Sequence, residues 1–145
     1  MIITEIVIAA VVAGIIMGLA TEIGYRLGLI QANLLTVDGE FAVKLSGLKQ
    51  NTGLVYFAGA VVHLATSASF GVVLYFITKI LEVDASSIII IAAYVFALWL
   101  SMLFLALPVA GHGILGRRLG GSVWVEQLIL HIIFALGLWS MLYIF

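Results

Sequence analysis

Four apolar runs, at about residues 2–24, 53–77, 86–107 and 122–144, constrain this chain more than any motif in it. Each is close to the ~20 residues that an α-helix needs to cross a hydrocarbon core. They predict an all-α fold: a single transmembrane domain spanning 1–145, built as a polytopic four-transmembrane-helix bundle. Composition agrees, since 65% of the residues are hydrophobic, 9% are charged and the mean hydropathy is +1.33, whereas a soluble domain is typically about 25% charged. A signal peptide would open with a basic segment. The only charge ahead of the first run is Glu5, so that run is expected to stay as a membrane helix.

The longest break between runs, about 25–52, mixes Arg26, Asp38, Glu40, Lys44 and Lys49 with apolar residues such as Leu34, Phe41 and Val43. That mixture predicts short helices lying at the membrane interface, with a turn at Asp38-Gly39. Asn51 or Thr52 is placed to cap the second span. Pro108 closes the third run, and the glycine-rich segment from Gly111 to Gly121 favours close turns over regular helix.

Two stripes recur every four positions, one of small residues at Ala10, Gly14 and Gly18 and one at Gly59, Ser67 and Gly71 with His63 in the place between Gly59 and Ser67. A third is formed by Ala93, Ala97 and Ser101. In lipid, helices associate where small residues let backbones approach, so the first two stripes are expected to face neighbouring helices or a partner subunit.

Five of the six basic residues fall in the two segments opposite the termini, and only Lys79 is on the terminal side. The positive-inside rule then places those segments in the cytoplasm and both termini outside the cell membrane. Tyr25, Tyr56, Trp124 and Tyr143 lie near span ends as interface anchors. The net charge of −1 gives no reason to invoke nucleic acid, and the absence of cysteine excludes disulfides, thiolate-held clusters and cysteine nucleophiles.

Two histidines stand inside the apolar runs at matching offsets, His63 ahead of Leu74-Tyr75 and His131 ahead of Leu142-Tyr143. With the similar Gly24–Gly28 and Gly116–Gly120 segments, this hints at two duplicated helical hairpins. Both histidines come ~13–15 Å from the same side of the bilayer, at 1.5 Å per residue. At that depth, each imidazole could simply hydrogen-bond across a helix interface. Alternatively, His63 and His131 could together hold a b-type haem, or share a transition metal with His112 or Glu22. Glu22 and Arg26 are one turn apart and read more simply as a local ion pair. Glu126 suits the first turn of its helix. Arg117 and Arg118 suit anionic lipid headgroups, because Gly-His-Gly-Ile-Leu-Gly matches no phosphate-binding motif.

The four spans, the Ala13–Thr21 helix segment, His63 with Phe70-Gly71 and Tyr75, the Leu107–Gly116 stretch, and His131 with Gly137 and Tyr143 together resemble the uncharacterised four-span prokaryotic membrane proteins of the YagU-like kind. That resemblance implies fold class and carries no activity. Without a catalytic constellation, the sequence points first to a non-catalytic accessory or scaffold subunit, bound to other membrane subunits or to its own copies in the lipid bilayer, with no cofactor. A haem- or metal-binding redox protein is the second reading, and a small transporter or channel the third.

Overall fold

The computed structural model describes every residue from Met1 to Phe145. The chain is all-helical. Helix α1 covers Ile3–Arg26, α2 Leu34–Ser46, α3 Thr52–Ile80, α4 Ile88–Ala110 and α5 Val123–Ile144. All but α2 are long and apolar enough to cross a membrane. The protein is therefore a small integral membrane protein with four helices long enough to span, arranged as a bundle.

Helix α1 is the axis of that bundle, because it is small on two faces. Toward α3, Gly71 meets Val7 and Ala10, Gly14 meets Ser67, and Gly18 meets the ring of His63. Toward α5, Ala13 lies against Gly137. Both neighbours therefore run antiparallel to α1. Ala10, Gly14, Gly18, Gly59, Ser67 and Gly71 are all buried within the chain. Close approach of this kind supplies the dispersion contacts that lipid-facing surface cannot. The third stripe differs: Ala93 and Ala97 are exposed on the outside of α4.

Helix α2 is capped by Asn33, whose Oδ1 accepts the Leu35 N–H at 2.9 Å. Its start is tied to α1, because Leu34 N–H donates to Thr21 Oγ1 at 3.2 Å and Asn33 Nδ2 donates to Glu22 Oε2 at 2.6 Å. Asp38-Gly39 is not a turn. It lies in the middle of α2, where Gly39 sits flush against the Val55 carbonyl of α3 and Gly59 sits flush against the Leu35 carbonyl of α2. The glycine answers a need for backbone approach between helices rather than for a bend. Asn51 caps α3, its Oδ1 accepting from Leu54 N–H at 2.8 Å.

Pro108 does not close the third span either, since α4 continues to Ala110. The five residues before Leu107, Met102–Ala106, form a π turn in which the Leu107 N–H reaches five residues back to the Met102 carbonyl. Widening the helix just ahead of a proline moves the carbonyl that its ring would strike, and the missing N–H falls where one bond is already skipped. Gly111, at φ +100°, ends the helix, and the Arg118 guanidinium donates to its carbonyl at 3.0 Å. The chain then passes through a 3₁₀ turn at Ile114–Gly116 into α5.

The glycine-rich segment and α2 lie at one end of the bundle. The other end carries Met1 beside Lys79, Glu82 and Asp84. Helix α4 packs along α5, but α3 and α4 approach each other far less closely. One bond crosses that gap: Tyr94 Oη donates to the Phe70 carbonyl at 2.7 Å. Farther along toward α2, the gap opens into a cavity.

Candidate functional site

His63 sits where α1, α2 and α3 meet. Without side chains at Gly14 and Gly18, α1 comes close enough for the His63 Nε2–H to donate to the Gly14 carbonyl at 2.9 Å. On its other side, Nδ1 lies 3.0 Å from Asp38 Oδ2, which the Gly39 and Gly59 contacts between α2 and α3 hold in place. Ser67 Oγ–H donates to the His63 carbonyl at 2.8 Å, one turn along the same helix.

The partners of this ring limit its protonation. A backbone carbonyl can only accept, so Nε2 carries a hydrogen. A bond between Nδ1 and a carboxyl oxygen then needs one proton between them. It exists either as imidazolium with carboxylate or as neutral imidazole with carboxylic acid. Both forms have the same total charge, so the proton can pass between the residues without leaving a lone charge in a low-dielectric interior. Burial pushes the Asp38 carboxyl above its ordinary range, against the opposing pull of His63. The second oxygen of Asp38 takes no protein hydrogen bond.

Asp38 and His63 form part of the wall of the cavity between α3 and α4. Its volume is about 100 Å³ and it is partly open, which leaves space for roughly three water molecules. Met17 of α1, Thr66 and Ser67 of α3, Ser101 and Met102 of α4 and His131 of α5 complete its polar and polarisable surface, and no Lys or Arg lines it. Met102 opens the π turn, so the irregular part of α4 is also the part that faces the cavity. Such interruptions are frequent at functional sites.

His131 is anchored differently. Its Nδ1–H donates to the Gln127 carbonyl of its own helix at 2.7 Å, which leaves Nε2 as the unpartnered acceptor in the neutral ring. Besides the cavity, His131 borders an apolar groove between α4 and α5 with Trp99, Ile132 and Leu136. The two matched histidines thus share one cavity wall while making unlike contacts. One turn before His131, the Gln127 side-chain amide is fully buried and has no protein partner.

The remaining expected ligands lie elsewhere. Glu22 pairs with Arg26 Nε at 2.6 Å and with Asn33, at the end of α1. His112 Nε2 lies 2.6 Å from Glu40 Oε2, without the alignment of a hydrogen bond. Neither residue lines the cavity. The chain places no three His, Asp or Glu side chains so that they could share a metal ion. Ligation through His63 would break one of its two hydrogen bonds, and a haem macrocycle outsizes the cavity. Arg117 is exposed, and Arg118 is engaged with Gly111.

Three cavity residues, Asp38, Thr66 and Ser101, carry no site motif in the sequence. For Asp38 one signal was present. Leu34, Val37 and Phe41 follow Asn33 at helical spacing, which places the carboxylate within a capped helix rather than in a turn. No protein family, curated protein or solved structure was found to match this chain.

Proposed function

We propose that this integral membrane protein binds a small molecule within the bilayer, in the cavity between α3 and α4, with the Asp38–His63 pair as its polar anchor. The observation that carries this reading is a hydrogen-bonded ionisable pair set against an open space where helix-to-helix packing stops. Ionisable groups among membrane helices are costly, and they are retained where they meet a partner or a ligand.

The scaffold reading rests on small size, the lack of a catalytic constellation and of extramembrane domains, and more small-residue stripes than four helices need among themselves. Ala10, Gly14, Gly18, Gly59, Ser67 and Gly71 are spent on contacts inside the chain, which weakens the last of these grounds and leaves only Ala93 and Ala97 on an outer face. We further propose that the end bearing α2 and Arg117 faces the cytoplasm, following the charge bias, which puts Arg117 at the level of anionic headgroups. A reporter fused to either terminus tests the orientation.

The binding reading is tested by native mass spectrometry of the protein released from its own membranes, compared with Ser101→Phe, in which the cavity is filled. An adduct on the wild type that Ser101→Phe lacks is the expected result. Identical spectra, with no small molecule on either protein, would count against a binding site.

A further inference from the structure

We infer that the ligand is a small organic cation, a protonated amine, taken up in exchange for the proton that Asp38 and His63 share. This rests on reading the α3–α4 cavity as a ligand site, and concerns which chemistry that site accepts.

The groups still unpaired on the cavity wall can each accept a hydrogen bond. Asp38 Oδ1 has no hydrogen bond from the protein, His131 offers Nε2 as a lone pair, and the Thr66 hydroxyl has no protein partner. Phe70 and Phe134 add π faces and Met17 and Met102 add thioethers, all of which favour a soft cation. No Lys or Arg lines the space to repel one or to welcome an anion. The volume suits a head group, and because the cavity is only partly enclosed a short apolar tail can extend beyond it.

Charge balance then defines the exchange. With the cavity empty, His63 Nε2–H is bound to Gly14 and one proton bridges Nδ1 and Asp38, so the pair is neutral overall. When an ammonium group arrives, its N–H groups donate to Asp38 and to Nδ1 in place of the bridging proton, which leaves to water. The Nδ1–Asp38 bond is thus exchanged for two bonds to the cation, and His63 remains neutral with Nε2–H still on Gly14. Carboxylate plus ammonium is again neutral overall. Retaining both the proton and the cation would leave a net positive charge in low dielectric, which is the costlier state.

The groups facing the pair do not obscure this titration. From α1 it meets the Gly14 carbonyl, from α3 the hydroxyls of Thr66 and Ser67, from α4 Ser101, and from α5 His131, the one other titratable group on the wall. On α2 itself, Glu40 is turned to His112.

The test is calorimetric titration of the full-length protein in lipid nanodiscs with n-hexylammonium, in buffers of different ionisation enthalpy, with n-hexanol as the uncharged control. Saturable binding of hexylammonium with release of about one proton is expected, strengthening about ten-fold per pH unit while the pair holds its proton. Asp38→Asn, checked for monodispersity, should weaken binding by about ten-fold or more. Equal binding of hexanol and hexylammonium, lost in Ser101→Phe, would retain the site and overturn its preference for cations. Hexylammonium binding without proton release would overturn the exchange. Saturation by neither compound would overturn both the ligand class and the site.

Discussion

Glu126, in the first turn of α5, accepts the backbone N–H of Gln31 at 2.8 Å and that of Ala32 at 3.3 Å, across 95 and 94 residues of sequence. Its other oxygen accepts from Ser122 Oγ at 2.7 Å. A residue that suits a helix N-terminus by its charge thus also holds the chain between α1 and α2. Since Asn33 and Leu34 follow directly, the start of α2, and with it the position of Asp38, depends on this carboxylate.

Glu126→Ala is therefore expected to leave two backbone donors unpaired, Ala32 being almost fully buried. The cost should be about 1–3 kcal/mol. Glu126→Gln keeps acceptor oxygens and should lose less. Thermal unfolding in detergent, scored on both variants, checks the order, and equal losses would contradict it.

The contact between α2 and α3 leads to a second expectation. A methyl group at Gly59 would collide with the Leu35 carbonyl, and one at Gly39 with the Val55 carbonyl. Main-chain atoms cannot swing aside, so either Ala substitution must move α2 off α3, at about 1–3 kcal/mol. The displacement also pulls Asp38 away from His63. The chain has no cysteine, so a single Asp38→Cys can report it: alkylation should be faster in the Gly59→Ala background than in the parent.

The proton between His63 and Asp38 has a spectroscopic signature. In the wild type, Nε2 is a donor to Gly14, and Nδ1 either holds or receives the shared proton. Asp38→Asn offers Nδ1 an amide N–H instead, which fixes the neutral ring with hydrogen on Nε2 alone. ¹⁵N spectra of labelled histidine should show a changed Nδ1 shift and a retained Nε2–H. An Nδ1 shift unaffected by the substitution would mean that Asp38 does not control the ring.

The spans were readable from the chain because membrane solvent imposes a length and a composition that local sequence must satisfy by itself. Histidines within such runs stand out for the same reason, and His63 and His131 do share a cavity. Their partners were not readable. Asp38 lies 25 residues from His63 and Gly14 lies 49 away, so the contacts exist only after three helices pack. Asp38-Gly39 has the composition of a turn, and only the opposing Gly59 reveals it as a helix contact. Pro108 misleads in the same way, since the π turn that accommodates it comes from residues with no distinctive composition.

The first stripe makes a further point about what spacing cannot distinguish, and it gives the last prediction. Gly14 and Gly18 are one turn apart on α1 and both are buried against α3. An added methyl at Gly14 would run into the side chain of Ser67, whose hydroxyl is engaged with the His63 carbonyl, and would lie 3.9 Å from His63 Nε2. At Gly18 it would lie 3.4 Å and 3.5 Å from His63 Cδ2 and Nε2, at the close edge of ordinary contact. Gly14→Ala should therefore push α1 from α3 at about 1–3 kcal/mol and lengthen the bond from His63 to the Gly14 carbonyl. Gly18→Ala needs only a shift of the ring by tenths of an ångström. It should change stability by less than ~1 kcal/mol, aided by the better helix propensity of alanine. Paired unfolding measurements in the same detergent decide this, and a Gly18→Ala loss as large as that of Gly14→Ala would mean that His63 is packed too tightly to yield.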